Sequence, residues 1–112
     1  MIFNKGRRKN RRVDTHVLLD VSLMNDADMR SKAEIINISM GGANFACDFL
    51  FGENTGVNMK FTLHGNDVYF LPSKIVWRKK LTNTNSYGIS FSGLTKYEKK
   101  QLKKLIKKIR VI

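Results

Sequence analysis

Two short groups of residues in this 112-residue chain have the types and spacing to hold a charged, planar ligand. The first lies in KAEIINISMGGANF at residues 32–45, where Asn37 and Ser39 stand one residue apart and Gly41 and Gly42 follow. Residues two apart on an extended chain point to the same side, so this spacing predicts an amide and a hydroxyl offered together. Gly42 has no Cβ, which predicts close approach of a flat ligand to its backbone. Asn, Ser and Gly also build ordinary turns, so alone this stretch is read either way. The second group is RRKNRR at residues 7–12. Arg8 and Arg12 have the spacing Arg-x-x-x-Arg, and Arg7 precedes them. Guanidinium forks match phosphate oxygens, and their planes stack on rings. Alone, this run is equally a solubilising tail or a nonspecific nucleic-acid contact. Trp77, beside Arg78, is expected half in the core and half at the rim.

Other chemistry finds little support. Cys47 is the single cysteine, which gives neither a disulfide framework nor zinc spacing. It also has no base beside it for nucleophilic work. His16 and His64 stand apart, and Asp26 and Asp28 lack the remainder of a calcium loop. No catalytic motif is present, so a binder without metal or cofactor is expected. The formal net charge of +12 favours polyanionic partners. No apolar run has the length of a bilayer span, and the first residues lack the apolar core of a secretory signal. The expected compartment is the cytoplasm.

The elements that must position these groups follow from periodicity. Residues 1–13 are expected to form a flexible basic arm, because like charges repel around Gly6. Residues 14–93 read as a body of six or so short strands. Residues 15–24 alternate, with Val17, Leu19, Val21 and Leu23 on one face. Residues 25–31 read as a polar turn, and 32–38 and 43–47 as the second and third strands. Residues 57–63 alternate most cleanly. Residues 68–71 resume the sheet, Pro72 marks an edge or bulge, and 73–79 form another strand. Tyr87, Ile89 and Phe91 carry the last. Phe61, Phe70, Tyr87 and Phe91 are expected mostly to face the core, leaving Tyr69 and Trp77 as candidates for an exposed aromatic platform. No gap accommodates a helical crossover, so the pairing should be antiparallel. Residues 94–112 read as a helix that starts at a Thr95/Glu98 capping box. Its stripe of Leu94, Leu102, Leu105, Ile106 and Ile109 should dock on the body. Weak self-association through the stripe is the alternative.

In this order the pieces resemble the PilZ domain family, bacterial receptors for cyclic di-GMP. The matching stretches are RRKNRRV at 7–13, NISMGGANF at 37–45, KIVW at 74–77 and YGISFSGL at 87–94. The resemblance implies an all-β, six-stranded antiparallel barrel with a C-terminal amphipathic helix, acting as a receptor and not as an enzyme. Arg8 and Arg12 look like the motif arginines that grip phosphate and guanine. Asn37, Ser39 and Gly42 look like the motif that frames a guanine, and Gly41 and Trp77 are counted with them. The family has Asp or Asn at the position of Asn37, and Asn should pair more weakly with guanine donors. Arg7 before the motif implies that the ligand binds as an intercalated pair. The arm would become ordered on binding, and an unidentified downstream protein would read the change in motility, biofilm or virulence control. The runner-up is a small basic barrel that binds nucleic acid, disfavoured because most aromatics are expected inside. A third reading, compatible with the first, is an adaptor whose basic helix meets an acidic protein or membrane.

Overall fold

The computed structural model describes residues 13–63 and 66–110, with side chains from residue 17 onward. The expected arm, with Arg7, Arg8 and Arg12, lies outside the described residues. The elements in chain order are β1 (Val13–Leu23), β2 (Asp26–Ile38), β3 (Gly42–Cys47), β4 (Gly56–Leu63), β5 (Asp67–Lys80), β6 (Asn85–Ser90) and α1 (Lys96–Arg110). The strands close into a barrel in the order β1-β2-β3-β6-β5-β4, every neighbouring pair antiparallel. This is the expected six-stranded barrel with one C-terminal helix.

The alternation of β4 sets the phase of the barrel. Val57, Met59, Phe61 and Leu63 are buried, and their partners on β5 are Ser73, Leu71, Tyr69 and Asp67. Directly opposed residues share a face, so Tyr69 points inward and Phe70, opposite Lys60, points out. Tyr69 is 4% exposed and Phe70 61%. The sequence expectation for these two neighbours is therefore reversed: Phe70 is on the surface and Tyr69 is no platform. Two strand boundaries also differ. Residues 26–31 belong to β2, not to a turn, and only Met24 and Asn25 turn the chain. Pro72 interrupts nothing, because β5 runs through it opposite Asn58. β6 pairs with β5 only from Lys74 onward, so the flank of Pro72 away from β4 carries no ladder to lose a donor from.

Inside, Phe45 stacks on Tyr87 at 4.9 Å between ring centroids, and Phe51 meets Tyr87 edge-on at 5.9 Å. Full burial of such a side chain contributes about 1.5–3 kcal/mol. The Tyr87 hydroxyl is satisfied within this core. It donates to the Phe49 carbonyl and accepts the Phe51 N–H, both at 2.8 Å, tying the β3–β4 connection to the barrel. Burial raises the Tyr87 phenol and Cys47 thiol pKa values above their ordinary values. Cys47 is thus a packing residue, buried as expected.

The helix begins with the reciprocal bonds of a capping box: Glu98 N–H to Thr95 Oγ1 at 3.1 Å, and Thr95 N–H to Glu98 Oε1 at 2.8 Å. Leu102, Leu105, Ile106 and Ile109 are buried against the body, where α1 meets β5 and β1. Lys108 Nζ donates to Asp67 Oδ2 at 2.5 Å, which raises the Lys108 pKa. The stripe docks on the barrel, as the direct passage from Leu94 into the helix suggested. No helix among the described residues is long and apolar enough to cross a membrane.

Candidate ligand-binding site

Cross-strand register assembles one row across five strands: Asp14 on β1, Asn37 on β2, Asn44 on β3, Gly88 on β6 and Trp77 on β5. The flanking residues Ala43, Phe45, Tyr87 and Ile89 are buried, so Asn44 and Gly88 belong to the outer face. Two irregularities complete the row. On β2 the register shifts between Ile35 and Asn37, leaving Ile36 without its own partner on β3. On β5 it shifts between Ile75 and Trp77, doing the same to Val76 opposite β6. Each extra residue brings a polar or aromatic side chain to a place an aliphatic one would otherwise take, a familiar use of bulges beside functional sites.

The Trp77 indole sits over Gly88. A Cβ at Gly88 would overlap the indole Nε1 and Cε2, so this strand position is open only to glycine while the ring stays in place. Trp77 as a residue is 41% exposed. It forms an aromatic shelf in the same row as the two asparagines, with Gly88 between it and Asn44, fit to stack a planar ring. β5 continues beyond Trp77 to exposed Lys79, two residues on and on the same face, while Arg78 between them turns its guanidinium to the Phe51 carbonyl at 3.3 Å.

The Asn37–Gly42 segment is more closed than simple alternation predicts. β2 ends at Ile38, and Ser39 lies beyond it, buried. The Ser39 hydroxyl accepts the Gly41 N–H at 3.2 Å and donates to the Gly42 carbonyl at 3.3 Å. The Ser39 N–H donates to the same carbonyl at 2.8 Å. The Phe91 N–H donates to the Gly41 carbonyl at 3.1 Å, stitching the turn to the end of β6. Ser39 therefore shapes the turn from within. Gly42 also has a different neighbour from the one expected: a Cβ there would overlap the carbonyl oxygen of Ile89 on β6. Its missing side chain lets two strands approach.

The profile of the PilZ domain matches residues 6–108. The chain belongs to the PilZ domain family. No curated relative matches the sequence significantly. Solved structures show the same fold at low identity. The PilZ domain of CeSA from a cellulose-synthesizing bacterium is 14% identical, with a TM-score of 0.73, over 89% of this chain and 98% of that one. The PilZ domain of YcgR from Escherichia coli, solved with c-di-GMP, is 11% identical, with a TM-score of 0.76, over 94% and 92%. The inhibitor of motility MotI from Bacillus subtilis is 12% identical, with a TM-score of 0.70; the match spans 94% of this chain and 52% of that one.

In this PilZ domain the matched span includes Arg7, Arg8 and Arg12 as well as the whole barrel. The register brings Asn37 and Trp77, 40 positions apart in the chain, into one row. Gly41 and Gly42 lie just beyond it. Sequence reasoning did not single out Asn44 or Gly88. A polar residue between inward Ala43 and Phe45, and a glycine inside the alternating run YGIS, were the available signals. Among the described residues, no three of His, Cys, Asp and Glu gather as a metal site would require. Asn37, Asn44 and Trp77 give the row two amides and an indole, suited to hydrogen bonding and stacking.

Proposed function

We propose that this PilZ domain is a receptor for cyclic di-GMP and not an enzyme. The observation that carries the reading is the row on the outer barrel face, which puts two amides in line with an indole seated on glycine. In this reading a guanine stacks on Trp77 while Asn37 and Asn44 address its polar edge. Arg7, Arg8 and Arg12 fold over from the N-terminal side and pair with phosphates and the guanine ring. Ser39, Gly41 and Gly42 hold the turn that fixes where Asn37 stands. The dinucleotide found with the YcgR PilZ domain supports the choice of ligand. Arg7 favours an intercalated pair of ligand molecules. Closure of the arginine segment is the signal, and a downstream protein reads it.

Calorimetric titration tests this. Saturable binding of cyclic di-GMP is expected, with little heat from GMP or GTP. Absence of binding at high micromolar cyclic di-GMP would refute the proposal.

A further inference from the structure

A second surface lies on the other side of the barrel, where β2, β1, β4 and β5 meet. The register places Lys32, Asp20, Lys60 and Phe70 in one row, and Arg30, Ser22, Asn58 and Pro72 in the next. The outer face of a small barrel is normally convex, yet here it holds a groove of about 490 Å³ lined by these residues other than Pro72, together with Ala27. The cause is local. Ser22 pairs with Arg30 and Leu23 with Asp26, so residues 27–29 have no counterpart on β1 and the end of the hairpin is distorted.

The groove is aromatic at one side and carries Arg30, Lys32 and Lys60, with Asp20 among them. Phe70 is the aromatic wall, and Val68, two residues before it on the same face of β5, is also exposed. Leu18, on β1 two residues before Asp20, is 68% exposed. Lys60 Nζ lies 5.9 Å from the Phe70 ring centroid. Lys32 is bound to Asp20 at 2.9 Å, while Arg30 and Lys60 have no ion pair among the described residues. Large apolar side chains grouped beside unpaired cations mark an interaction surface better than scattered exposed residues do. The chemistry selects among polyanions. Asp20 interrupts the cations, which disfavours a continuous phosphate backbone, and Phe70 stands without a second ring to stack successive bases. Separate carboxylates can address Arg30 and Lys60 while an apolar side chain lies on Phe70.

We infer that this groove is a docking site for an acidic segment of a partner protein that carries an apolar or aromatic anchor. The surface lies away from the Asn37–Trp77 row, and its test needs no nucleotide, so it stands or falls separately from the ligand proposal.

The probe is a short fluorescein-labelled peptide of Glu and Asp with a central Leu-Phe pair. A matched peptide has Ser-Ser in place of the pair. Anisotropy is read near physiological salt, and backbone amide shifts locate the contact. The expected result is saturable binding of the first peptide, with shifts at Ser22, Arg30, Asn58 and Phe70. Phe70→Ser, a surface change that leaves the core intact, should weaken it about tenfold, as loss of an apolar anchor implies. Lys60→Glu should weaken it as well, and the matched peptide should bind at least about tenfold more weakly. The inference is overturned by no saturable binding, by equal binding of both peptides, by no effect of Phe70→Ser in a folded protein, or by a loss from Lys103→Glu on α1 as large as from Lys60→Glu. Tighter Phe70-dependent binding of labelled oligothymidylate would assign the groove to nucleic acid instead.

Discussion

Replacing Gly42 by alanine tests how the binding face is built. The added carbon would overlap the Ile89 carbonyl oxygen, with the Ile89 carbonyl carbon at 3.4 Å and Ser90 Cα at 3.8 Å. All three atoms are backbone, so no side chain can rotate to relieve the contact. The φ of Gly42 lies outside the left-handed region, so the cost is steric and not torsional. β3 must move away from β6, straining the ladder from Gly42↔Ser90 through Asn44↔Gly88. Overpacking of this kind costs about 1–3 kcal/mol, and a backbone obstacle places Gly42→Ala near the upper end. That is a large share of the roughly 5–15 kcal/mol that holds a domain folded. In urea the midpoint should fall by about 1–3 M at an unchanged slope. Gly93→Ala is the control, since nothing lies within 4 Å of a Cβ there, and it should shift stability by less than about 0.5 kcal/mol. If Gly42→Ala behaves like the control, the close approach of β3 to β6 is not required. Cyclic di-GMP affinity should fall together with stability, because the residue supports the strand that carries Asn44 and has no open space toward a ligand.

Gly88→Ala meets a movable indole instead of backbone, so stability should drop by less than about 1 kcal/mol while Trp77 swings out. Its emission should shift to the red, and cyclic di-GMP affinity should fall about fivefold for the lost stacking shelf. Tyr87→Phe leaves the buried Phe51 N–H without its acceptor and should cost about 1–3 kcal/mol in urea unfolding. Thr95→Ala removes the helix cap, with an expected loss of about 1 kcal/mol and reduced helical circular dichroism.

Much of the barrel is legible where one face is buried and the other wet. The alternation of Val57 to Leu63 and the stripe on α1 both report a core on one side only. The start of β2 is hidden for the opposite reason: residues 26–30 are exposed on both faces, so no periodicity exists to read. In β5 the run Val68, Tyr69, Phe70, Leu71 is apolar at every position, which erases the phase. Pairing Phe61 with Tyr69 restores it, but that register is a property of two strands. The site was legible in part for the same reason. Asn37 and the glycines form a local motif, whereas the approach of Trp77 to Gly88 and of Asn44 to Asn37 arises only when β2, β3, β6 and β5 pair. The bulges at Ile36 and Val76, which set that row, leave no signal in hydropathy.

Trp77 is the single tryptophan in the chain, so its emission reports on the row and on nothing else. The most direct measurement is therefore a titration of intrinsic fluorescence with cyclic di-GMP, run beside calorimetry on the same sample. The account predicts a saturable change in Trp77 emission with the same midpoint as the heat, and loss of both in Arg8→Ala, which should cost about 2 kcal/mol or more of binding free energy. Calorimetric binding with Trp77 emission unchanged would place the ligand off this face and contradict the account.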